Sequence, residues 1–102
     1  MDKRQAPRFK VHLPITFLGY NLTGEGIVGN LSMEGCAVGS DQTVQRGKSL
    51  TLRISLPDQD APLVVNRAEV RRSVRGLLQL EFLTIGSEEE RLRRFLSTLE
   101  AG

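Results

Sequence analysis

Val11-His12-Leu13-Pro14-Ile15-Thr16-Phe17 carries an apolar side chain at every odd position, with His12, Pro14 and Thr16 between them. A period of two is that of a β-strand with one face in a core and the other in water. The alternation returns at Leu50-Thr51-Leu52-Arg53-Ile54-Ser55-Leu56 and at Leu78-Gln79-Leu80-Glu81-Phe82. Turn-forming stretches separate these runs: Gly19–Gly26 is polar and glycine-rich, Ser40–Gly47 is polar, Pro57–Pro62 holds Asp58-Gln59-Asp60, and Gly76 follows Arg75. Short strands joined in this way pair antiparallel. About six strands fit before Ser87 with no room for crossover helices, so the spacing predicts an all-β fold, a sheet curled into a small barrel over residues 11–85.

The period changes after Ser87. Leu92, Phe95, Leu96 and Leu99 fall at i, i+3, i+4 and i+7 with charge elsewhere, which predicts an amphipathic helix over 87–100 that lids one end of the barrel. Ser87 and Glu90 have the spacing of a capping box, and Glu88 and Glu89 put negative charge at the positive end of the helix dipole. The helix reads first as a structural cap, with a docking surface for another protein as the alternative.

At 102 residues the chain is expected to form a single domain, too small for a catalytic unit beside a regulatory one. Its 39% apolar and 25% charged residues are those of a soluble globular protein, which argues against disorder. No apolar leader and no membrane-length apolar run stand out, so a cytoplasmic protein without membrane partners is expected. The lone Cys36 has no C-x-x-C spacing and reads as a small buried hydrophobe in a reducing compartment. His12 stands on a strand's polar face without cysteine, paired carboxylates or metal spacing around it. No catalytic residue, metal ligand or enzyme activity is therefore expected.

The net charge of +2 is too small for a nucleic-acid coat, but it is unevenly spread. Lys3, Arg4, Arg8 and Lys10 crowd residues 1–10 against the single acid Asp2, making that segment a basic arm. A single-stranded nucleic-acid barrel would also need aromatic platforms on adjacent strands. With Phe17, Phe82 and Phe95 on apolar faces, only Phe9 and Tyr20 are left to stack on bases.

Within the arm, Arg4-Gln5-Ala6-Pro7-Arg8 reads R-x-x-x-R, and Pro7 keeps a helix from settling there. The planar, permanently charged guanidinium matches a phosphate bidentately and also matches the O6/N7 edge of guanine, so two arginines on one arm suit a guanine nucleotide. Asn30-Leu31-Ser32-Met33-Glu34-Gly35 reads N-x-S-x-x-G and lies between the apolar Ile27-Val28 and Cys36-Ala37-Val38. A strand-end turn explains the second motif equally well, with Asn and Ser bonding their own backbone and Gly35 supplying a positive φ.

Taken together and in this order, the two motifs resemble the hallmarks of the PilZ domain, R-x-x-x-R and [D/N]-x-S-x-x-G. Arg8-Phe9-Lys10-Val11, Leu13-Pro14-Ile15, Leu52-Arg53-Ile54-Ser55-Leu56-Pro57, Ala68-Glu69-Val70-Arg71-Arg72, Leu80-Glu81-Phe82 and the helix from Ser87 extend the resemblance along nearly the whole chain. It implies a six-stranded antiparallel β-barrel with a C-terminal α-helix that binds cyclic di-GMP, a bacterial second messenger, and signals to a downstream protein. Arg4 and Arg8 would clamp phosphates and Hoogsteen edges of guanine, Asn30 and Ser32 would bond a guanine edge or a phosphate, and Gly35 would admit the backbone close to the ligand. Asn30 stands where many members have aspartate, at a cost of about 1 kcal/mol in charge assistance. Lys3 before Arg4 is compatible with an intercalated pair of ligands instead of one, and Arg72 aligns with a base-stacking position. The resemblance implies no cofactor other than this ligand. A ligand-independent protein adaptor and a small single-stranded nucleic-acid barrel are the competing functions.

Overall fold

The computed structural model describes residues 6–57 and 59–101. Six strands, β1 (Phe9–Gly19), β2 (Leu22–Leu31), β3 (Gly35–Gly39), β4 (Ser49–Ile54), β5 (Leu63–Val74) and β6 (Leu77–Thr84), are followed by a 3₁₀ turn (Gly86–Glu88) and helix α1 (Glu89–Ala101). The strands close into a barrel in the order β1-β2-β3-β6-β5-β4, and every neighbouring pair is antiparallel. The six-stranded barrel with its C-terminal helix is the fold expected from the alternation.

The odd-numbered face of β1 fills the interior: Leu13, Ile15 and Phe17 are buried, as are Leu50, Leu52 and Ile54 of β4 and Leu78, Leu80 and Phe82 of β6. Val44, from the polar loop before β4, is buried beside Leu22 and Leu50 and stops one end of the barrel. Leu92 and Leu96 of α1 join the same core at the other end. Side chains therefore occupy the whole lumen, as they do in small barrels generally.

Three sequence readings need correction. The glycine-rich stretch 19–26 is strand beyond a tight turn at Tyr20-Asn21, because a side chain at Gly24 would collide with the Phe17 ring and one at Gly26 with the Gly39 carbonyl. Small residues there make room for packing. Strand β1 begins at Phe9, so Phe9 and Lys10 belong to the barrel and not to the basic arm. Helix α1 begins at Glu89, and the Ser87–Glu90 capping box does not form. Ser87 lies inside the 3₁₀ turn, two residues before the first residue of the helix. The carboxylate of Glu88 instead accepts the Val64 N–H at 3.1 Å and Arg91 at 3.0 Å.

Arg91 completes the attachment of the helix. Its Nε donates to Gln59 Oε1 at 2.9 Å and its Nη1 to the Pro62 carbonyl at 2.9 Å, with Nη2 on the Ala61 carbonyl. One planar fork thus ties α1 to the β4–β5 loop with several charge-assisted bonds. The exposed pair Arg94–Glu90, at 3.7 Å, contributes little. Accordingly, Leu92→Ala, which empties a fully buried site, is expected to destabilise the domain by about 2–5 kcal/mol in urea denaturation, whereas Arg94→Ala changes stability by less than about 0.5 kcal/mol.

Candidate functional site

With the lumen filled, the site has to be on the outside, and the phase of β2 decides which residues reach it. Val28 and Leu31 are both fully buried although they are three apart on a strand. A β-bulge reconciles them: Val28 pairs with Val38 and Asn30 with Ala37, leaving Gly29 as the extra residue. The bulge resets the alternation so that Asn30 faces outward. A second bulge, at Arg71 between Val70 and Arg72, does the same on β5. Without it Arg72 would point into the core with Ala68 and Val70; with it both arginines are exposed.

Arg8, Asn30, Ser32 and Gly35 come together around an open-sided cavity of about 470 Å³ on the outer wall, which Glu34, Ala37, Arg71, Gln79 and Glu81 also line. Its size is that of a small-molecule site. Lys3 and Arg4 lie outside the described residues. Arg72 is exposed on β5 but does not line the cavity; its neighbour Arg71 does. Arg71 stands between two carboxylates, 3.6 Å from Glu69 and 3.5 Å from Glu81. All three side chains are partly exposed, so these contacts are weak enough to exchange for a ligand anion. The sequence signal for Arg71 is the pair of successive arginines in a half-buried strand, which a bulge must accommodate.

Ser32 is 4% exposed, and its hydroxyl is committed to the β2–β3 hairpin. Its Oγ accepts the Glu34 N–H at 3.1 Å and the Gly35 N–H at 3.2 Å and donates to the Gly35 carbonyl at 3.4 Å. The hairpin is further docked by the Phe82 N–H on the Glu34 carbonyl at 2.8 Å. Ser32 thus holds the turn that presents the neighbouring groups. Gly35 is not needed for a positive φ, which among the described glycines falls to Gly47, Gly76 and Gly86. A Cβ there would overlap the carbonyl oxygen of Leu80, so only glycine lets β3 pair with β6 at this point. Gly35→Ala is expected to lower stability by about 1–3 kcal/mol in denaturant titration. Gly29→Ala, where a Cβ meets nothing within 4 Å, should be close to neutral.

The two aromatic residues left to stack on bases separate. Phe9 is half-buried against the core, beside Met33 and Leu96, while Tyr20 is 90% exposed at the far tip of the β1–β2 hairpin. Cys36 lines the floor of the cavity but is buried, and burial pushes its thiol up to about 12. The folded protein therefore holds the thiol proton more tightly than the unfolded chain. Cys36 adds no pH dependence below about 9, and stability falls as pH rises from there toward 12. Iodoacetamide at pH 8 is expected to leave Cys36 unlabelled in the native protein and to label it in urea, as read by mass spectrometry.

Residues 2–98 match the family model of the PilZ domain. The chain belongs to the PilZ domain family. Solved PilZ structures superpose on it closely. The PilZ domain of YcgR from Escherichia coli, solved with c-di-GMP, does so at 16% identity with a TM-score of 0.76, over 98% of this chain and 93% of that one. The PilZ domain of CeSA from a cellulose-synthesizing bacterium gives 19% identity and a TM-score of 0.73, over 92% and 98%. The Bacillus subtilis inhibitor of motility, MotI/DgrA, gives 22% identity and a TM-score of 0.78, over 99% of this chain and 53% of that one, so this PilZ domain spans about half its length. At these identities the likeness is one of fold. No curated protein matches the chain in sequence at a significant level.

Proposed function

We propose that this PilZ domain is a cytoplasmic receptor for cyclic di-GMP, and that ligand binding on its outer wall alters the surface it offers to a downstream protein. The observation that carries this reading is that Arg8 and the Asn30–Gly35 hairpin, remote in sequence, line one cavity. A dinucleotide needs cations for its phosphates and both donors and acceptors for its bases. Among the described residues Arg8 and Arg71 are cations that line the cavity, and Asn30 supplies a carboxamide. The family membership and a PilZ relative solved with c-di-GMP point the same way.

Arg4, with Lys3 before it, adds charge to the arm that reaches over the ligand, which takes one molecule or an intercalated pair. Arg71 leaves Glu69 and Glu81 to meet the ligand. Ser32 acts by holding the hairpin, and Asn30 makes the direct contact, more weakly than an aspartate would. Binding brings the arm down onto the hairpin and shifts the balance between two surfaces. Among the described residues no group of metal-ligating side chains occurs, and no helix is long and apolar enough to cross a membrane. The reading is of a receptor that relays a signal and performs no chemistry on its ligand.

Titration calorimetry with cyclic di-GMP, GTP and a short RNA tests it. Heat is expected with the cyclic dinucleotide, and Arg8→Ala is expected to weaken that binding by about tenfold or more. No heat, or an unchanged affinity in the variant, overturns the reading. Tight RNA binding with steep salt dependence would favour a nucleic-acid barrel instead.

A further inference from the structure

The strand register aligns one row of outward residues across the wall that carries the cavity. Lys10 of β1 pairs with Asn30 of β2, Asn30 with Ala37 of β3, Ala37 with Gln79 of β6, and Gln79 with Arg72 of β5. The order is cation, carboxamide, methyl, carboxamide, cation. Both end residues are exposed and the three central ones are half-buried. Asn30, Ala37 and Gln79 all line the cavity.

Two steps of about 4.8 Å separate Asn30 from Gln79, so their backbones stand roughly 10 Å apart with only the Ala37 methyl between them. That gap accepts a flat ring resting on Ala37 with a carboxamide at each edge. Each carboxamide offers a donor and an acceptor side by side, the pattern that the O6 and N1–H of guanine present. Among the described residues no hydrogen bond holds either carboxamide.

We propose that Gln79 is a second base-contacting residue of the site, opposite Asn30, and that Ala37 is the floor on which the base lies. The assignment rests on the cyclic di-GMP reading and goes beyond the two motifs, since Gln79 belongs to neither. Lys10 and Arg72 bound the row and supply charge on either side of it. A side chain longer than alanine at position 37 would fill the gap, and truncation at 79 would leave one edge of the base without a partner.

Calorimetry with cyclic di-GMP on the wild type, Gln79→Ala and Ala37→Leu tests this, with thermal melting as a check on folding. Both positions face outward, so melting temperatures within about 2–4 °C of the wild type are expected. Gln79→Ala should weaken binding by about tenfold and Ala37→Leu by at least as much. Wild-type affinity or tighter binding in a folded Gln79→Ala overturns the assignment of Gln79, even if Ala37→Leu binds poorly. A folded Ala37→Leu that binds like the wild type overturns the floor. No heat from the wild type itself overturns the cyclic di-GMP reading and the row with it, and is told apart because it needs no variant.

Discussion

Val28 and Leu31 both demand the core, and a strand that alternates strictly cannot bury residues three apart. The extra residue at Gly29 resolves the conflict and turns Asn30 outward as a result. The same device at Arg71 keeps two successive arginines out of the interior. With the lumen filled by side chains and stopped at both ends, the outer wall is the surface left for recognition. The two bulges decide what that wall displays. Packing of the core and composition of the site are therefore one problem, solved at two positions.

The hairpin between β2 and β3 obeys the same economy. Ser32 satisfies two backbone amides within the turn, and Gly35 lets β3 close against the Leu80 carbonyl. Neither residue has to touch a ligand for the site to depend on it. Asn30 is set between them and the bulge, and shares its cavity with Arg8 and Arg71. A short motif that lines the cavity thus also holds the turn that shapes it.

Much of this was legible from the chain alone. Alternation at Val11–Phe17, Leu50–Leu56 and Leu78–Phe82 gave barrel strands, and the switch of period at Leu92–Leu99 gave the helix. Arg8, Asn30, Ser32 and Gly35, which the resemblance marks, line one cavity. What escaped depends on partners distant in sequence. The glycines at 24 and 26 looked like a loop because their reason is the Phe17 ring and the Gly39 carbonyl. The capping box at Ser87 failed because the Val64 amide of β5 and Arg91 claim the adjacent carboxylate. Arg71 shows in the sequence only as one of two successive arginines, and its place on the wall is set by a bulge against a strand distant in sequence.

Closure of the barrel has one further consequence. Every strand already has a neighbour on both sides, since β1 pairs with β2 and with β4. Where the ladders are complete, strand addition, the route by which open sheets capture an extended peptide, has no edge to use. What such a wall offers to a binding molecule is side chains on a face, and exchange of the ion pairs at Arg71 would alter that face. Where the sheet is closed, recognition falls to the side chains.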